Sequence, residues 1–143
     1  FNKTEMFSFT RPEESDREHD YLLSLEERFM QKLELPYQVV KMVSGDLGFP
    51  VARKYDIEAW LPSENGYRET HSTSTCTDFQ ARRLNIKYRQ KDGQLVFVHT
   101  LNGTAFSERP LLAILENYQE EDGSVRVPQV LQKYTGFEKI NLK

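Results

Sequence analysis

Cys76 is the only cysteine, so no disulfide can close within these 143 residues. A reducing compartment, and hence the cytoplasm, is the simpler expectation. No run of about 18 apolar residues occurs, which removes helical membrane spans and gives no expectation of a membrane partner. No secretory leader of the usual pattern is visible either. Neither charge dominates: 19 Lys and Arg stand against 22 Asp and Glu, a formal net charge of −3. That balance argues against a surface devoted to gripping phosphates. The glycine-rich signatures G-x-G-x-x-G and G-x-x-x-x-G-K-[ST] are both missing, and with them the common phosphate-cradling loops. His19, His71 and His99 are far apart, and with one cysteine they supply no zinc-ligand spacing. There is no repeat, low-complexity segment or internal linker. What remains, 38% hydrophobic and 29% charged, is the composition of one globular domain large enough to bury roughly 68–70% of its unfolded surface.

Apolar spacing then orders the chain. "FNKTEMFSFT" alternates, with Phe1, Lys3, Glu5, Phe7 and Phe9 on one face and Thr4, Met6, Ser8 and Thr10 on the other. A strand already under way at its first residue suggests a piece of something longer. "RPEESDREHDYLLSLEERFMQKLEL" predicts a helix with an apolar stripe at Leu22, Leu25, Phe29 and Leu33. Ser15 and Glu18 have capping-box spacing at its start, and Pro36 ends it. "YQVVKMVS" and "YDIEAWLP" read as strands, the second with Ile57, Ala59 and Leu61 on one face. Asn65-Gly66 and "KDGQ" mark hairpin turns. "YRETHSTSTCTDFQARRLNIKYR" reads as a strand that bends into irregular chain and returns to strand. "LVFVHTLN" is a further strand, and "PLLAILENYQ" a second long helix with Pro110 in its first turn. Hairpin-linked strands with long helices packed on them predict an α+β domain with a mostly antiparallel sheet.

One stretch, "HTLNGTAFSERPLLAILENYQEEDGSVRVPQVLQKY", raises a functional question. It predicts a strand, a polar loop and an amphipathic helix. A structural loop needs the glycine, but not an amide, a hydroxyl and a guanidinium (Asn102, Thr104, Arg109) gathered at the mouth of a helix.

The segments "FNKTEM", "GDLG", "KYDIEAWLP", "YRETHSTSTCTDFQARRLNIKYR", "HTLNGTAF" and "RPLLAILENYQ", in this order and spacing, resemble bacterial-type seryl-tRNA synthetases. The resemblance runs from Phe1 to about Tyr134 and implies residues 1–143 as the C-terminal half of a class II catalytic domain, from the second strand of motif 2 through motif 3. It implies a partial class II core fold, and activation of L-serine with ATP to seryl-adenylate followed by transfer to tRNA(Ser). The implied partners are L-serine, ATP and tRNA(Ser), with a homodimer at full length; ATP and Mg²⁺ are the implied cofactors.

Residue by residue, the resemblance places Phe1 against the adenine and Glu5 on bound serine. Glu69, Thr70, His71 and Ser72 fall in the ATP segment, with Glu69 and Ser72 as Mg²⁺ ligands. Asn102 and Thr104 fall in the serine pocket. Arg109 becomes the motif 3 arginine on the phosphates and the catalytic cation. These residue types suit the chemistry. Cations must neutralise phosphates when a carboxylate attacks one. A hard cation wants oxygen ligands. A site that hydrogen-bonds a hydroxyl rejects analogues lacking it.

This sequence departs from the family pattern in two places. His71 stands where a serine is usual, a tolerated change whose imidazole could add charge below about pH 6.5. The segment from Thr104 to Arg109 is one residue short, which either tightens the chain or displaces Arg109 and brings in Glu108. The coiled-coil arm, motif 1, the first strand of motif 2 with its arginine, and part of the serine-recognition segment have no counterpart here, so these residues by themselves are expected to be inactive. Arg82, Arg83, Lys87 and Arg89 read as structural rather than tRNA-reading. Two other functions stay open: an amino-acid:carrier-protein ligase on the same core, and a catalytically inactive interaction module.

Overall fold

A computed structural model describes residues 1–141. Its frame is a five-stranded antiparallel sheet in the order β1-β7-β4-β3-β2. The strands are β1 (Lys3–Thr10), β2 (Tyr37–Lys41), β3 (Arg53–Leu61), β4 (Gly66–Thr75) and β7 (His99–Ser107). A small hairpin joins β5 (Lys87–Arg89) to β6 (Leu95–Phe97), turning at Gly93 with φ +88°. The short strands β8 (Val125–Arg126) and β9 (Lys139–Ile140) pair beyond the main sheet. The helices are α1 (Ser15–Lys32), α2 (Phe79–Leu84), α3 (Glu108–Asn117) and α4 (Gln129–Thr135). The α+β architecture expected from the sequence is the one observed.

Helices α1 and α3 cover one face of the sheet. Met30, Leu33 and Leu35, from α1 and just beyond it, pack with Ile57 and Ala59 of β3 and with Ala113, Ile114 and Tyr118 at α3. The Tyr118 hydroxyl donates to the Leu33 carbonyl at 2.6 Å and ties the ends of the two helices together. The period-two alternation of β3 explains this layer, because Ile57 and Ala59 share the inward face.

Several elements differ from expectation for identifiable reasons. Ser15 does not cap α1. It is buried, with its hydroxyl 3.2 Å from that of Thr75, while Glu18 accepts from Ser8 at 2.7 Å. A 3₁₀ turn over Pro12–Glu14 opens the helix instead. The fully buried stripe of α1 is Ser15, His19, Leu22, Glu26 and Met30, so Leu25 and Phe29 only flank it. The polar members of that stripe lie over a sheet face that is itself hydroxyl-rich. The irregular chain after β4 contains α2, held by an ion pair between Asp78 and Arg82 at 2.6 Å. "LVFVHTLN" breaks at Val98 into strands of two sheets. The polar stretch after it is not a loop: β7 continues through Asn102, Gly103 and Thr104 to Ser107.

Candidate active site

The face of the sheet opposite α1 carries the chemistry. Residues directly opposite in antiparallel strands share a face. Glu5 pairs with Thr104, and Asp56 with Ser72. The Thr104 hydroxyl lies 3.4 Å from the Ser72 amide and bridges the two pairs. Glu5, Thr104, Ser72 and Asp56 thus form one polar row across four strands. A parallel row runs Phe7, Asn102, Ser74 and Lys54. A strand reads as a loop when its outward face is all polar, as here.

Toward the C-terminal end of β7, Phe1, Lys3, Thr104, Ser107 and Arg109 line a cavity of about 140 Å³ with Glu69 and Thr70. That is smaller than the roughly 300–1,000 Å³ of most small-molecule sites, so it forms a corner of one. Its central feature is an ion pair: an Arg109 guanidinium nitrogen stands 3.0 Å from the Glu69 carboxylate and 3.3 Å from the Glu69 carbonyl. Both side chains are partly exposed, and a second cleft beside Leu61 and Leu112 opens on the far side of the same pair.

The short connection before Arg109 is resolved by the cap of α3. The Ser107 side chain accepts from the Arg109 amide at 3.3 Å, so the helix begins directly from the strand. Arg109 faces the cavity. Glu108 turns away and accepts from the Asn2 amide at 3.1 Å. A guanidinium at a helix N-terminus is suited to holding an anion.

Phe1 is 83% exposed and lies along the cavity as an open aromatic face. Glu5 is held by Lys3 at 3.2 Å. Thr104 is buried and joins the two groups of residues, because it belongs both to the polar row and to the cavity wall. His71 is placed differently. It pairs with Ile57 on the helix-covered face, is 1% exposed, and its Nδ1 lies 3.0 Å from the Thr70 hydroxyl. Burial pushes its pKa down to about 4, so at neutral pH the imidazole brings no charge to the cavity. Thr70 is the extra residue of a bulge opposite Ile57 and Glu58, and that bulge turns Glu69 toward Arg109.

Three residues near the site carried no role in the sequence reading. Lys3 adds a cation to the cavity; its only sequence signal is that it shares a face with Glu5. Asp56 is buried against Lys54 at 2.8 Å, and burial raises its pKa. Ser107 caps α3, which the serine-before-helix pattern could have suggested.

The donor set bears on a divalent cation. Among the described residues no group of three or more His, Cys, Asp or Glu side chains could cage one. Glu69 lines the cavity and Ser72 sits in the polar row opposite Asp56, one carboxylate and one hydroxyl of the oxygen-donor type that a hard cation takes. No described helix is long and apolar enough to cross a membrane.

An antiparallel sheet backed by helices, with an ion pair where an inner strand runs directly into a helix, is the arrangement of a class II synthetase core. The chain belongs to that family: residues 1–118 match the model of the tRNA synthetase class II core domain (G, H, P, S and T). Among relatives, it is similar to the serine–tRNA ligase of Dictyoglomus thermophilum, 56% identical over all of this chain and 34% of that protein. It is 54% identical to that of Pyrococcus abyssi, over 98% of this chain and 31% of that protein. The structure of seryl-tRNA synthetase from Pyrococcus horikoshii complexed with ATP superposes with a TM-score of 0.96 at 51% identity, over all of this chain and 33% of that one. A cytoplasmic serine–tRNA ligase from Naegleria fowleri in complex with AMP gives 0.92 at 43%, over 34% of its length. The chain therefore spans about a third of the length of the relatives it matches.

Proposed function

We propose that these residues are the part of a serine–tRNA ligase running from the second strand of motif 2 through motif 3. The observation that carries this reading is the juxtaposition of two chemistries at Thr104. On one side lies the row containing Glu5, an anion suited to the substrate ammonium, with Asn102 alongside. On the other lie Arg109, Lys3 and Phe1, suited to the phosphates and base of ATP. The complexes of relatives with ATP and AMP support the nucleotide half.

In this reading Phe1 packs on the adenine and Arg109 holds the phosphates. Glu5 binds the serine ammonium, and Thr104, with Asn102 beside it, meets the serine hydroxyl. A serine carboxylate oxygen then attacks the α-phosphorus, the bond to the bridging oxygen breaks, and pyrophosphate leaves with its electron pair. Arg109 favours this step because charge that develops on the phosphates meets a preplaced cation. Mg²⁺, held by Glu69 and Ser72 when bound, supplies further neutralisation of the phosphates. Thr70 orients the Glu69 segment, and His71 supports it from beneath. The seryl group passes to tRNA(Ser), the protein acts as a homodimer, and the reaction runs in the cytoplasm.

Amino-acid-dependent exchange of pyrophosphate into ATP by the intact protein tests this. Serine supports exchange and alanine does not. Exchange with another amino acid and not serine, or with none, refutes the reading. Transfer of activated serine to a carrier protein rather than to tRNA(Ser) would move the protein to the neighbouring ligase class.

A further inference from the structure

Glu26 lies in the middle of α1, 0% exposed, with no hydrogen-bond partner for either carboxyl oxygen. It faces the strand that carries Asn102 and Thr104, from the side opposite the substrate residues. Gly103 leaves a niche there. A Cβ at position 103 would stand 3.1 Å from Glu26 Oε1, 3.3 Å from the Met6 methyl and 3.3 Å from the Thr73 hydroxyl. That Thr73 hydroxyl donates to the Asn102 carbonyl at 2.9 Å. Two residues past Gly103, β7 carries a bulge: Glu5 pairs with Thr104 and Thr4 with Phe106, which leaves Ala105 unpaired between them. A bulge beside a site re-aims the side chains next to it and needs support from outside the ladder.

Burial pushes the Glu26 pKa up to about 9, so the carboxyl is neutral at physiological pH. The Thr104 amide pulls the value part of the way back without alignment into a proper hydrogen bond, and from across the sheet Glu5 and Asp56 raise it and Lys3 lowers it. A buried neutral carboxyl with unused hydrogen-bonding capacity, wedged beneath a glycine, is costly to keep for packing alone.

We propose that Glu26 is a positioning residue of the amino-acid site: its carboxyl fills the Gly103 niche and props the Asn102–Thr104 segment from behind, setting how Asn102 and Thr104 meet the substrate. The assignment rests on the serine-ligase reading above. Glu26 touches no substrate and acts through β7. The missing side chain at 103 and the carboxyl at 26 are two halves of one contact, so substitutions at the two positions compensate for each other.

The test measures exchange kinetics and melting of the intact protein with Glu26→Gln, Glu26→Leu, Glu26→Ala, Gly103→Ala and the Glu26→Ala/Gly103→Ala double substitution. Glu26→Gln, neutral and isosteric, keeps the KM for serine within about twofold. Glu26→Leu and Glu26→Ala raise it by about tenfold and leave the KM for ATP within about twofold, because Asn102 and Thr104 are the serine contacts while Phe1 and Arg109, the proposed nucleotide contacts, stand on other segments. Gly103→Ala alone raises the serine KM by a similar factor, and adding Glu26→Ala restores most of it by vacating the niche. Unchanged serine KM in the folded Leu or Ala variant overturns the proposal, as does an equal rise for both substrates, which marks a purely structural role. If those variants do not fold, unchanged serine KM in Gly103→Ala overturns it. Wild-type protein without serine-dependent exchange removes the underlying reading and this inference with it, and that control separates the two failures.

Discussion

Replacing Glu26 by glutamine should stabilise the protein, and increasingly so as pH rises. The carboxyl has an ordinary pKa of 4.5 in the unfolded chain and about 9 when buried beneath β7. Below about 4.5 it is protonated in both states and folding costs nothing extra. Between the two values the unfolded chain releases a proton that the folded one keeps, so stability falls as pH rises, by about 1.4 kcal/mol per unit. Above the folded value the loss is complete. From pH 5.5 to 8 the wild type should therefore lose at most about 3.5 kcal/mol that the glutamine variant retains. That is a large share of the roughly 5–15 kcal/mol of a typical domain. Urea unfolding of both proteins, followed by circular dichroism at several pH values, gives the difference curve directly, and other titrating groups cancel in it. Parallel curves would mean that Glu26 is hydrated or ion-paired in solution, and the argument from its burial would fail.

Glu5→Ala should raise the KM for serine by at least tenfold with little change for ATP, whereas Glu69→Ala should chiefly impair ATP and Mg²⁺ use; steady-state titration of each substrate separates them. Tyr118→Phe should cost about 1–1.5 kcal/mol in urea unfolding, because it leaves the buried Leu33 carbonyl without its donor. The 143-residue polypeptide prepared alone should show exchange reduced by at least about 10²-fold, for want of the family's other phosphate-binding arginine. It should also self-associate in light scattering across a dilution series, since β1 is an edge strand flanked by exposed Phe7 and Phe9.

The strands were legible because their faces differ. Ile57 and Ala59 alternate with Glu58 and Trp60, and the pattern alone places the core on one side. Glu5 and Lys3 on a shared face were legible in the same way. The polar run through Thr104 was misread as a loop, because periodicity reports burial against apolar neighbours and β7 carries hydroxyls and an amide on its open face. The gathering of an amide, a hydroxyl and a guanidinium, not the periodicity, singled out Asn102, Thr104 and Arg109, and the family motifs gave them roles. Glu26 was invisible for a related reason: a carboxylate between Leu25 and Glu27 reads as the solvated side of a helix, and nothing in one sequence says that the opposing strand offers it a glycine. His71 read as a neighbour of the phosphates because adjacent numbers suggest adjacent positions, whereas adjacent strand residues point to opposite faces.

The contact between Glu69 and Arg109 makes the site self-neutralised. On the proposed reading, a phosphate on the guanidinium nitrogen that faces Glu69 would displace the carboxylate, and a divalent cation on that carboxylate oxygen would displace the guanidinium. A guest that did so alone would leave one charge of the pair unmatched. Arriving together, they exchange one pairing for two. By reciprocity, whatever the metal adds to nucleotide affinity the nucleotide adds to metal affinity. On the proposed reading, the pair would act as a latch that opens to a metal–nucleotide complex more readily than to either component.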